Sequence, residues 1–246
     1  MLRNKGLLVM LAILAIMVIS PSCEMLDREA ENPVGPGSVT ENPSQKDNQD
    51  GLQKAMVYKD PMKWPTSISD FQWPFGAYDY VRGICGVPWR LCCGYGCYLH
   101  KNTYYPGAGK YAVDFVRTTS SWTANSWVLS PARGVVVFSG WMTGYGNCVV
   151  IDHDYGHTGR GYKSIVAHLK EDPRRYVNVG NDLKAGTFLG YCWNSGGNYD
   201  YHIHFSIWQN NVSVPLAGIS GDYSIYQGGI YYSGNIAVRP PANSPW

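Results

Sequence analysis

The residues best equipped for chemistry are Tyr201-His202-Ile203-His204-Phe205, directly behind the glycine-rich Asn194-Ser195-Gly196-Gly197-Asn198. On a strand, side chains two apart share a face. His202 and His204 therefore project together, while Ile203 and Phe205 turn toward a core. Two imidazoles on one rigid face suit a divalent transition metal, or one metal ligand with a catalytic partner beside it. A His-x-His by itself is more often a surface pair, so other residues must complete the site. His168 ends the apolar run Lys163-Ser164-Ile165-Val166-Ala167-His168-Leu169, where a lone histidine is more often a satisfied core residue. Asp114 sits in Lys110-Tyr111-Ala112-Val113-Asp114-Phe115-Val116. A buried carboxylate there needs a cation, a hydrogen-bond network or a metal.

The elements that must position these side chains read as short strands. Gly134-Val135-Val136-Val137-Phe138 is β-branched and apolar, and Gly140 is expected to break it. Gly144-Tyr145-Gly146-Asn147 reads as a turn, Cys148-Val149-Val150-Ile151 as the next strand, and Asp154–Gly161 as a second loop. Val177–Leu189 holds two further short segments. Strands with turn signals at this spacing predict an antiparallel sheet. The abundance of Gly, Tyr and Trp and the scarcity of amphipathic helical patterns point the same way.

The chain of 246 residues does not begin with that sheet. Arg3 and Lys5 precede an apolar run from Leu7 to Ile19, too short to span a membrane but suited to a signal-peptide core. Ser20-Pro21-Ser22-Cys23 then resembles a lipoprotein signal, with Cys23 as the acylated residue. Ser20 stands where such signals carry Leu, and plain cleavage is the alternative. Residues 1–23 are thus expected to be a signal peptide, and the protein to be exported to the cell envelope. Residues 24–53 hold seven acids against two bases and almost no aromatic or β-branched residues, the composition of a disordered acidic tether. From Lys54 onward sixteen bases face eleven acids, without the dense basic patch that nucleic-acid binding requires.

Residues 54–97 are rich in cysteine and aromatics. The six cysteines beyond Cys23 (Cys85, Cys92, Cys93, Cys97, Cys148 and Cys192) are an even number, and in an exported protein they predict up to three disulfides of open connectivity. A zinc knuckle from Cys92 or Cys93 with Cys97 and His100 is the rival reading.

In this order, several segments resemble the lysostaphin/LytM-type zinc endopeptidases of bacterial peptidoglycan. They are Ala112-Val113-Asp114-Phe115, Ser130-Pro131-Ala132-Arg133-Gly134-Val135-Val136, Gly146–His153, Ala167-His168-Leu169, Val179-Gly180, Ala185-Gly186, Leu189-Gly190 and His202-Ile203-His204-Phe205. The agreement runs from about residue 98 to 207. It implies a mainly β fold, an antiparallel β-sheet or β-roll groove with long loops. Residues 98–210 would form the metallopeptidase core, and the Tyr/Gly/Pro-rich residues 211–246 an extension packed on it. It implies one Zn2+ per chain, with Asp114 and His204 as ligands, and His168 and His202 flanking the metal-bound water. Zinc with three protein ligands keeps an open position and acidifies a water there. The expected substrates are peptidoglycan peptides, with Cys23 as the membrane anchor.

The chain departs from the family at one place. Where relatives carry a histidine four residues before the ligand Asp, this chain has Lys110, an ammonium without a lone pair. His100 is assigned as the third ligand, with the Gly/Tyr/Pro-rich stretch from Lys101 to Lys110 bulging out between them. His153 and His157 are fallback candidates and are expected to be solvated loop residues. Two rival functions remain open: a degenerate relative that binds peptidoglycan or regulates another hydrolase, and an adhesive lipoprotein. The aromatics of residues 64–97 and 223–232 would stack on sugars in the latter; in the blander reading they cover the ends of the β-domain.

Overall fold

The structure, a computed structural model, describes residues 59–79, 81–101, 107 and 109–238. The signal segment, the tether, Cys23 and most of the Lys101–Lys110 loop lie outside the described residues. Among those described, the chain is built from short antiparallel strands, the mainly β class expected from the sequence. A small hairpin pairs Tyr78–Asp79 (β1) with Ile84–Cys85 (β2). Then come Trp89–Cys93 (β3), Val113–Arg117 (β4), Trp127–Leu129 (β5), Gly134–Met142 (β6), Gly146–Asp152 (β7) and Tyr162–Leu169 (β8). Asp182–Leu183 (β9), Phe188–Tyr191 (β10), Ile203–Gln209 (β11), Val212–Ser213 (β12) and Ile230–Tyr231 (β13) follow. The main sheet runs β13-β3-β4-β11-β8-β7-β6-β9, with β12 paired to β11, while β5 and β10 pair separately.

Both faces of this sheet are covered, which is why its central strands read as near-continuous apolar runs rather than alternating ones. Val113, Phe115, Val149, Val166, Ile203, Phe205 and Ile207 point into the larger core. Cys148, Val150, Ile165, Ala167 and Trp208 form a smaller cluster with Tyr145. Gly140 does not break β6, contrary to the sequence expectation. It lies inside the strand opposite Cys148 at φ 145°, a conformation glycine adopts without a Cβ penalty.

Part of the aromatic flank is core rather than end-covering, whereas Tyr223 and Tyr226 are exposed. Phe71, Trp73 and Phe75 are fully buried and Trp89 nearly so, which removes them from any sugar-stacking role. Trp73 meets the rings of Phe115, Phe205 and Tyr231 at 5.0, 6.2 and 5.5 Å, and its Nε1–H donates to Asp222 at 2.8 Å. Residues before β3 and after β12 thus close the core directly beneath β4 and β11. The cysteines also differ from expectation. Cys93 and Cys97 form a disulfide, but Cys92, Cys148 and Cys192 are free thiols. Cys148 and Cys192 are fully buried among apolar side chains, where a thiol packs as a small hydrophobe.

Candidate functional site

Strand register assembles the site. Asp114 on β4 pairs with His204 on β11, and His204 pairs in turn with Ala167 on β8, so these side chains share one face. Cys93 at the end of β3 pairs with Asp114 from the other side, across a register shift. Two residues before His204, His202 faces the same way and bridges Trp193. Strict alternation would send His168, next to Ala167, to the opposite face. A register shift between β7 and β8 and a φ of +61° at His168 re-aim it toward the site. Left-handed backbone at a non-glycine residue costs on the order of 1–2 kcal/mol and collects at functional sites.

Two glycines make that placement possible. Gly146 has φ 64° and Gly196 φ 101°, and a Cβ on either would overlap the other turn's backbone. The Gly144–Gly146 and Ser195–Gly197 turns therefore touch backbone to backbone. Ser195 is fixed by Asn147 N–H donating to its Oγ at 2.9 Å. Its carbonyl accepts from His168 Nδ1 at 2.7 Å, and His202 Nδ1 likewise donates to the Asp200 carbonyl at 2.7 Å. A carbonyl can only accept, so both imidazoles carry their proton on Nδ1 and keep the Nε2 lone pair.

Asp114 lies at the centre. Its Oδ1 is 3.3 Å from His100 Nε2, 3.0 Å from His204 Nδ1 and 3.9 Å from His202 Nε2. His100, Asp114 and His204 are all buried, with one ligand atom of each inside 4.8 Å of the others. His100 arrives from outside β4, on the turn that follows β3, and its Nδ1 donates to the Gly94 carbonyl at 3.3 Å. That leaves the Nε2 lone pair directed at a carboxylate oxygen, an arrangement that a cation between them would satisfy. Two imidazole nitrogens and one carboxylate oxygen are the donor set a tetrahedral zinc takes from protein. The buried Nε2 of His204 has no hydrogen-bond partner among the described residues, leaving its lone pair available to a cation.

Burial alone would raise the Asp114 carboxyl, but in the metal-free chain the hydrogen bond that His100 donates when protonated at Nε2 as well, and the one from His204, hold it far below the usual carboxylate range. Burial would lower His100, and Asp114 overrides it and raises it; at His204 burial prevails and lowers it. Burial, with His202 and His204 beside it, pushes His168 down to about 3, so its imidazole is neutral at physiological pH. His168 and His202 stand with ring centroids 4.5 Å apart on the far side of a cavity of about 260 Å³.

Sequence reasoning overlooked part of the lining. Tyr145 sets its ring 5.3 Å from His204 and donates its hydroxyl to Gly107, and Tyr199 lies 4.9 Å from His168. Both sit in segments legible only as turns. The fallback histidines are elsewhere. His153, expected in solvent, is completely buried: its Nδ1–H donates to the Arg133 carbonyl and its Nε2 accepts from the Ser164 hydroxyl, each at 2.7 Å. The approach of Phe71, whose ring centroid lies 4.9 Å away, helps close it off from water. His157 stacks on Trp64 at 4.0 Å.

The model of peptidase family M23 matches residues 112–215. No curated protein matches the chain. Among solved structures, an M23 peptidase candidate from Pseudomonas aeruginosa is 20% identical, with a TM-score of 0.43, and covers 76% of this chain and 66% of its own. Csd3 from Helicobacter pylori is 22% identical with a TM-score of 0.38, covering 56% of this chain and 34% of its own. The catalytic domain of lysostaphin from Staphylococcus simulans is 24% identical with a TM-score of 0.39, covering 52% and 88%. The chain thus spans less than two thirds of the length of the first two. The matched segment, residues 112–215, carries Asp114, His168, His202 and His204, and over it this chain is similar to peptidase family M23.

Proposed function

We propose that the protein is a zinc-dependent endopeptidase that hydrolyses peptide bonds in the stem or cross-link peptides of bacterial peptidoglycan, with His100, Asp114 and His204 holding one Zn2+. The observation that carries this reading is Asp114 Oδ1 with His100 Nε2 at 3.3 Å and His204 Nδ1 at 3.0 Å, three donor atoms converging without bulk solvent. Zinc bound there would supply an open coordination position and a water acidic enough to react near neutral pH. His168 and His202 are the catalytic pair. Their Nδ1 protons are held by the Ser195 and Asp200 carbonyls, so each can receive a proton only at Nε2. The depressed pKa of His168 keeps it a neutral acceptor at rest, and a proton taken up there is readily passed on to a leaving amine. Tyr145 and Tyr199 wall the cavity and limit the water around the reacting amide.

In this reading the exported chain is tethered to the membrane through a lipid on Cys23, and its substrate is the wall peptide within reach of the tether. The test is metal content together with release of new amino groups from purified sacculi. About one zinc per chain and chelator-sensitive release are expected. Asp114→Asn should lower zinc affinity by about 100-fold and abolish release, because one of the three donors loses its charge. Release that continues in the presence of chelator, or at the wild-type rate in Asp114→Asn, would sink the proposal.

A further inference from the structure

His100 belongs to two potential metal sets at once. One is His100, Asp114 and His204; the other is Cys93, Cys97 and His100, whose ligand atoms also lie within 4.8 Å of one another. The turn between them is tightly drawn. Cys93 pairs with Asp114, its sulfur is bonded to Cys97, and it lies 3.7 Å from His100 Nδ1. The Gly94 carbonyl accepts from Cys97 N–H at 3.2 Å, and the Cys97 carbonyl accepts from His100 N–H at 2.7 Å. Gly96 N–H donates to the carbonyl of Lys110 at 2.9 Å, the residue four before Asp114, on the turn that leads into β4. The turn after β3 thus delivers to Asp114 the histidine that the approach to β4 does not carry.

A neutral imidazole has a single lone pair. With the disulfide formed, Nδ1–H is committed to Gly94 and the lone pair of Nε2 goes to the Asp114 set. Two thiolates at Cys93 and Cys97 would make Nδ1 the better donor atom, which requires the proton on Nε2 and removes His100 from the Asp114 set. The two sets therefore exclude one another. We propose that the Cys93–Cys97 bridge is a redox gate: oxidised, it presents His100 to Asp114 and His204, and reduced, its two sulfurs and His100 form a rival three-donor metal set that takes the histidine away. The inference rests on the metal-site reading above. Reduction breaks the S–S bond, and a dithiol reductant supplies two electrons and two protons and becomes a disulfide itself. The metal then displaces the two thiol protons to solvent.

The experiment uses the full chain, cobalt(II) as the probe, and a phosphine reductant, which is oxidised to its oxide as it opens the bridge. Oxidised protein should take up cobalt with a spectrum free of thiolate-to-metal absorption. After reduction, Cys93 and Cys97 should become open to alkylation, read by peptide mass spectrometry because Cys85 is disulfide-bonded as well; the thiolate band should appear, and sacculus hydrolysis by the zinc form should fall about 10–100-fold and return on reoxidation. The Cys93→Ser/Cys97→Ser double variant should show neither the band nor any response of activity to phosphine. Cys92→Ser should keep both, because Cys92 donates its thiol to the Asp114 carbonyl and is outside the set. The gate is overturned if the two thiols appear while the cobalt spectrum and affinity stay unchanged, or if the native bridge resists the phosphine. Oxidised protein that binds no cobalt would overturn the metal-site reading itself, and the gate with it.

Discussion

At the scale of single residues, His168 shows most directly how backbone strain accompanies the chemistry. Its φ of +61° is a conformation in which glycine is at home and a Cβ is not. Alanine normally stabilises a strand relative to glycine by several tenths of a kcal/mol, but here the order should reverse. His168→Gly is expected to be more stable than His168→Ala by about 1 kcal/mol in urea unfolding. Both should lose sacculus hydrolysis by about 10²–10⁴-fold, the usual value of a positioned acid–base group. Equal stabilities, or the ordinary order, would mean that the protein does not hold His168 left-handed in solution. The lone pair of His168 was foreseeable only as a possibility, since a histidine closing an apolar run has no readable tautomer until the Ser195 carbonyl is beside it.

Two contacts carry the argument at the scale of elements. Gly146 and Gly196 let two turns meet, and Gly146→Ala forces a Cβ into the Ser195 backbone at a φ of 64°. That should destabilise the protein by about 2 kcal/mol or more, and activity should fall with it because the Ser195 carbonyl moves off His168. Urea midpoints and zinc retention measured on one preparation would check it: zinc retained with activity lost is the expected pattern. His153 ties β7 to β8 through Ser164 and to the chain before β6 through Arg133. Burial holds it down at about 4, below the usual histidine value of 6.5. The unfolded chain therefore takes the proton first as pH falls. The stabilisation is complete above pH about 6.5 and is lost as pH drops toward 4, at up to about 1.4 kcal/mol per pH unit. In metal-free protein, the stability difference between wild type and His153→Gln should shrink across that window; a difference independent of pH would refute the assignment.

For the whole molecule, the site depends on a core that residues far outside the M23 match complete. Trp73 packs against Phe115 and Phe205, each one residue beyond a member of the candidate metal set. Trp73→Ala should cost about 3–5 kcal/mol. It should also weaken zinc retention, although Trp73 lies on the opposite side of the sheet from the cavity. Loss of stability with unaltered zinc affinity in the folded fraction would show the two layers to be independent.

The sequence by itself determined which faces exist. A strand's period of two is covalent geometry, so His202 and His204 on one side, Ile203 and Phe205 on the other, and a carboxylate inside an apolar β4 could all be read directly. The order of turn signals fixed an antiparallel class for the same local reason. Tertiary structure decided everything that depends on register between strands distant in sequence. The shift between β7 and β8 turns His168 around, and a disulfide-closed turn carries His100 to Asp114 from outside the strand. His153 is drawn into the interior beside Phe71, and Trp73 into the core under the site. Each is a contact between segments far apart in the chain, formed because burial and complementary packing outweigh loop-closure entropy. Only His100 was placed in advance, by the resemblance; for the others no pattern within either segment announces the contact.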